Sequence, residues 1–132
     1  NAQKLKDSLA PTLDESASAL LTDLAQRGML DETLVVINAE FGRTPKINEN
    51  QGRDHWPFVY SLALAGAGIQ GGAVYGKSDK SAAYPTENPR DPADMAATIY
   101  HLLGIQSDTR IYDNRQRPHS LVIGSPIEEL LA

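Results

Sequence analysis

Leu5, Leu9, Leu13, Ala17, Leu20, Leu21 and Leu24 recur at intervals of three and four between Gln3 and Arg27, the repeat of a helix with one apolar stripe. An amphipathic helix is predicted across that span. Pro11 lies inside it and either kinks the helix or restarts it, which would place Asp14 and Glu15 near the positive end of the new dipole. Gly28 supplies the stop, and Met29 to Thr33 lead into Leu34-Val35-Val36-Ile37, an apolar run that suits a strand buried on both faces. Helix, short turn and buried strand make half of a parallel βαβ unit.

Further along, the run from Val59 to Ala65 reads as a second strand, ended by Gly66-Ala67-Gly68. Gly71 to Gly76 suits a short strand or hairpin arm, and Lys77 to Arg90 has the Ser, Asp, Pro and Asn content of an irregular surface loop, ordered only by contacts. A second helix is signalled by Asp91 as N-cap, Pro92 at the first helical position, an apolar face of Met95, Ile99, Leu102 and Leu103, and Gly104 as the stop. Gln106 to Gly124 is loop-like, with short extended pieces at Arg110–Tyr112 and Leu121–Ile123, and Ser125-Pro126 caps a last turn through Ile127, Leu130 and Leu131. Internal repeats, heptads and low-complexity tracts are absent from the sequence.

Chemistry concentrates after the first strand. In open α/β sheets the ligand crevice lies beyond the carboxyl ends of the strands, where this chain places Glu40, Arg43, Arg53, Asp54 and His55. Asp54-His55 can ligate a divalent ion through a carboxylate oxygen and an imidazole nitrogen; the bland reading is a turn in which Asp54 holds backbone and His55 packs on Trp56. Glu40 is a metal-binding carboxylate or a salt-bridge partner for Arg43. Arg43 and Arg53 can fork onto a phosphate or sulfate, because a planar guanidinium matches such oxyanions two bonds at a time. His101 complements the dipole at the end of the second helix, and His119 has no assigned role.

Composition narrows the field. A formal charge of −5 over 132 residues argues against a general polyanion partner such as nucleic acid. Without cysteine, any metal must be held by His and carboxylates. No apolar stretch approaches a membrane span, and the glycine-rich segments match neither a dinucleotide fingerprint nor a phosphate loop.

The strings Glu40-Phe41-Gly42-Arg43-Thr44-Pro45 and Gly52-Arg53-Asp54-His55-Trp56-Pro57, followed by Gly71 to Gly76 and Ala97 to Ile105, closely resemble the domain of unknown function 1501 family. The resemblance covers nearly the whole chain. It implies bacterial, sulfatase-like proteins of the alkaline phosphatase superfamily, and an α/β fold of which this chain is the C-terminal part. That fold is a three-layer arrangement with a mostly parallel sheet between helices, its nucleophile and further metal ligands upstream. The implied reaction is hydrolysis of a small anionic sulfate or phosphate ester. Glu40, Asp54 and His55 would hold a divalent metal ion (zinc, calcium, manganese or magnesium), and Arg43 or Arg53 would clamp the oxyanion. Phe41 departs from that picture, standing where the superfamily has a histidine ligand. The expected partner is the remaining N-terminal part of the same domain, without which the chain is expected to be inactive. Such family members are often exported, implying the periplasm or cell surface. The alternative is a non-catalytic exported binding or scaffold protein that keeps the hydrolase fold.

Overall fold

Residues 2–132 are described by a computed structural model. The leucine repeat forms one rod in three pieces: α1 (Ala2–Lys4), a π-helical turn over Leu5–Leu9, and α2 (Ala10–Gln26). Pro11 falls in the first turn of α2, and the backbone stays helical from the π-turn through it. Proline removes one N–H and crowds the carbonyl four residues back, and the widened turn just before it, closed by Ala10 N–H to the Leu5 carbonyl, accommodates that crowding. The rod ends as predicted at Gly28: its N–H reaches the Ala25 carbonyl (3.1 Å) and Met29 N–H reaches Leu24 (2.8 Å), a Schellman pair.

A short 3₁₀ turn, Leu30–Glu32, leads to β1 (Val35–Ile37). Its partner is β4 (Ala63–Ala65), antiparallel, with Val35 opposite Ala65 and Ile37 opposite Ala63. Both differ from expectation. β1 is half-buried and then exposed rather than covered on two faces, and only the end of the run from Val59 becomes strand. Between them lies a second ribbon, β2 (Gly42–Arg43) with β3 (His55–Trp56).

Lys77 to Arg90 is more regular than its composition implied, holding β5 (Lys77–Ser78) paired with β6 (Pro85–Glu87). The Asp79 carboxylate gathers the turn between them, accepting from Ser81 N–H and Oγ, Ala83 N–H and Tyr84 N–H. Gly71 to Gly76 forms no strand; Val74 there is 95% exposed.

The second helix, α3 (Pro92–Leu102), stands where its signals put it, with Asp94 reaching back to Asp91 N–H and a Schellman pair at Gly104. The extended piece at Arg110 is β7 (Arg110–Tyr112), but its partner is β8 (Pro118–Ser120); Leu121–Ile123 is irregular. A 3₁₀ turn, Glu128–Leu130, closes the chain, and the tail pairs back on Gly68 to Gln70 through Gln70 N–H to Leu130 and Ala132 N–H to Gly68, both 2.8 Å.

The best-packed part is α3 with the segment it holds. Met95, Ala97, Thr98, Val122 and Ile127 are buried there. Thr98 Oγ1 donates to the Asp94 carbonyl (2.8 Å) and accepts from Ile127 N–H (2.9 Å), while Ser125 N–H donates to Asp94 Oδ1 (2.9 Å). The leucine stripe is covered far less: Leu24 is buried, but Leu5, Leu9, Leu13 and Leu20 are each about half exposed.

Candidate functional site

The β2–β3 ribbon positions the residues singled out from sequence. Gly42 lies opposite Trp56 and Arg43 opposite His55. A side chain at position 42 would drive its Cβ to 1.9 Å from the Val59 carbonyl oxygen, so the tight approach of that backbone requires glycine. Because strand side chains alternate between faces, the ribbon has two distinct sides.

One side carries Arg43 and His55, with Phe41 against both. The Phe41 and His55 rings lie 4.0 Å apart between centroids at 37°, and the Arg43 guanidinium carbon is 5.7 Å from the Phe41 centroid. The other side is an anchor. Trp56 donates Nε1–H to the Ala83 carbonyl (2.6 Å) and meets Phe58 and Tyr84 edge-on at 4.9 and 5.7 Å. His55 therefore packs on Phe41 and not on its neighbour Trp56, because adjacent strand residues face opposite ways.

The loop joining the two strands is held by groups that sequence reasoning passed over. Asn48 is its hub: Oδ1 accepts from Asn50 N–H (3.1 Å) and Gly52 N–H (3.0 Å), and Nδ2 donates to Asp54 Oδ1 (2.9 Å). Thr44 closes the loop mouth, its N–H on the Asp54 carbonyl (3.0 Å) and its Oγ1 accepting from Asp54 N–H (3.1 Å). The signal was present as Asn48 followed by Asn50 and Gly52, side chains and backbone that favour Asx turns.

Glu40, Arg43, Arg53, Asp54 and His55 are all exposed. Arg43 Nη1 donates to the Arg53 carbonyl (3.4 Å) and Arg53 Nη1 to the Thr44 carbonyl (3.3 Å), so each guanidinium leaves most of its donors unengaged among the described residues. Among the described residues, neither arginine is ion-paired, and the Glu40–Arg43 salt bridge is not formed. Neither nitrogen of His55 is hydrogen-bonded there. His101 is exposed on the last turn of α3, and His119 Nε2 sits 3.4 Å from Asp113 Oδ2 on the β7–β8 hairpin, both away from this ribbon in the chain.

A bound divalent ion needs about four donors or more. Among the described residues, no three His, Asp or Glu side chains gather around one point, and the Asp54 carboxylate is engaged by Asn48. Taken alone, then, these residues do not fit the metal that the resemblance implies. What they do offer is cationic donors on an exposed ledge.

Among the described residues no helix is long and apolar enough to cross a membrane. A family model described as "Protein of unknown function (DUF1501)" matches residues 1–131. No curated protein and no solved structure matches the chain.

Proposed function

The chain belongs to the DUF1501 family of proteins of unknown function, and from that premise we propose that it is the anion-recognising part of a hydrolase acting on sulfate or phosphate esters. One observation carries the reading: Arg43, Arg53 and His55 occupy one exposed bend, and none of them is ion-paired to a carboxylate among the described residues. Guanidinium groups held near where charge develops stabilise the equatorial oxygens of such an ester. No step is assigned to a metal, since the donors present do not make a set.

In this reading the fold is the alkaline-phosphatase-like one, and β1 with β4 is an antiparallel margin of a mixed sheet. The proposed partner is the rest of that domain, covering the leucine stripe. Supporting it, the chain exposes 9901 Å², where a compact monomer of its mass exposes about 6,800 Å². Export to the periplasm or cell surface belongs to the same proposal and rests on the resemblance alone.

The test is turnover of aryl sulfate and aryl phosphate esters by the full-length protein. Activity is expected, falling by roughly 100-fold in Arg43→Ala, and the 132-residue chain alone is expected to be inactive. A full-length protein that hydrolyses neither class overturns the hydrolase reading. The second reading, a non-catalytic binding or scaffold protein, is favoured by Phe41, whose ring lies against His55 where the resemblance calls for a histidine ligand.

A further inference from the structure

The Phe41 ring lies against two nitrogen-bearing side chains that face each other across the ribbon, the Arg43 guanidinium and the His55 imidazole. β2 and β3 put Arg43 directly opposite His55, which brings their Cβ atoms to about 5 Å. Residue 41, two positions before Arg43, returns to the same face, and its ring contacts both: His55 at 4.0 Å and the Arg43 guanidinium at 5.7 Å. Phenylalanine has no hydrogen-bonding atom. It therefore holds an imidazole and a guanidinium by stacking and cation–π attraction while leaving their donors unspent.

Resting on the anionic-ester reading above, we propose that Phe41 is the positioning residue of an oxyanion ledge that presents His55 and Arg43 together to one tetrahedral anion, sulfate or phosphate or an ester of either. An arginine free in solvent loses rotamer entropy when a ligand fixes it. Stacked on Phe41 it loses less, because part of the restriction precedes binding. The His55 ring lies tilted by 37° against Phe41, and neither of its nitrogens has a hydrogen-bond partner among the described residues. In this arrangement His55 contacts the anion, a different use from the metal ligation that the resemblance implies. Arg53, whose Nη1 reaches the Thr44 carbonyl, braces the loop behind it.

The experiment is titration of the full-length protein with inorganic sulfate and with inorganic phosphate by calorimetry, alongside metal analysis and the NMR signals of the His55 ring. Phe41→Leu keeps an apolar side chain of similar size and is expected to weaken anion binding about tenfold; Phe41→Tyr, which keeps the ring, is expected to bind as the parent does. The His55 ring protons are expected to show a ring-current shift that disappears in Phe41→Leu and persists in Phe41→Tyr. His55→Ala is expected to lose anion affinity without losing bound metal. Parent-like binding by a folded Phe41→Leu overturns the ledge while leaving the hydrolase reading standing if ester turnover persists. Loss of metal with unchanged anion affinity in His55→Ala also overturns it. A parent protein that binds neither anion and turns over neither ester removes the ledge and the hydrolase reading together. If Phe41→Leu fails to fold, Arg43→Lys decides: it keeps the charge but not the flat stacking surface, and parent-like affinity in it overturns the ledge.

Discussion

The rod that opens the chain and α3 near its end were written with similar patterns, an apolar repeat at helical spacing closed by glycine, and both stop on the same pair of backbone hydrogen bonds. They differ in what covers them. α3 buries Met95, Ala97 and Thr98 against a returning segment that the same chain supplies. In the rod only Leu24 is buried, and four leucines of the stripe stay about half exposed. Helical periodicity therefore specifies a face; it carries no information about which partner lies on that face, because the partner is not local. The distinction is one of energy as well as geometry, since a substitution on the buried face of α3 disturbs contacts that exist within the chain, while one at the half-exposed leucines of the rod disturbs far fewer.

Breaking the well-packed side should give the largest effect. At Gly124 a Cβ would sit 2.3 Å from the Ala93 carbonyl and 2.5 Å from Asp94 N, backbone atoms at the start of a helix with little freedom to move. Gly124→Ala is expected to destabilise the chain by about 3 kcal/mol, at the upper end of overpacking costs, measured by urea unfolding. Next is Thr98→Val, nearly the same in shape. It strips the hydroxyl from a fully buried position and leaves Ile127 N–H without its acceptor. About 1–3 kcal/mol should be lost, and an unchanged urea midpoint would show that the hydroxyl bridge contributes nothing.

The same contact has a pH dependence. The Ser125 N–H, and then the hydrogen bond from Asp91, hold the Asp94 carboxyl below its ordinary range. A carboxyl depressed in the folded state stabilises fully above the unfolded value of about 3.9, and that contribution is lost as pH falls through the folded value. Acid unfolding below about pH 4 should accordingly be less steep in Asp94→Asn than in the parent. Asp113, depressed chiefly by Arg117 N–H and then by the Arg117 side chain, should behave alike in the β7–β8 hairpin. The smallest effect should come from the rod: Leu13→Ala, at a position 55% exposed, is expected to shift the stability of this chain by no more than about 0.5 kcal/mol. In a longer protein that covers the stripe it should cost about 2–5 kcal/mol. Equal small losses in both settings would remove the idea that the stripe is an interface.

What was legible follows the same division. Both helices, their glycine stops and the Asp91-Pro92 start are local chemistry and could be read directly. Strand pairing is set by residues far apart, which is why Val35 to Ile37 suggested a parallel, doubly buried strand and is instead antiparallel to Ala63 to Ala65. At the site, the cluster of Glu40, Arg43, Arg53, Asp54 and His55 was legible as exposed polar chemistry after a strand. Its internal order was not. The stack of His55 on Phe41 depends on cross-strand register, and the engagement of Asp54 by Asn48 depends on how the intervening loop turns back.

The two-sidedness of the β2–β3 ribbon has one practical outcome. Trp56 is the sole indole in the chain and is bonded next door to His55, yet it looks out from the reverse of the ribbon, fixed by its hydrogen bond to Ala83. A shift of the backbone at the exposed residue 55 is expected to reach that fluorophore through the peptide bond they share. Trp56 emission is therefore a dye-free signal with which the anion titration proposed for the Arg43–His55 side can be followed.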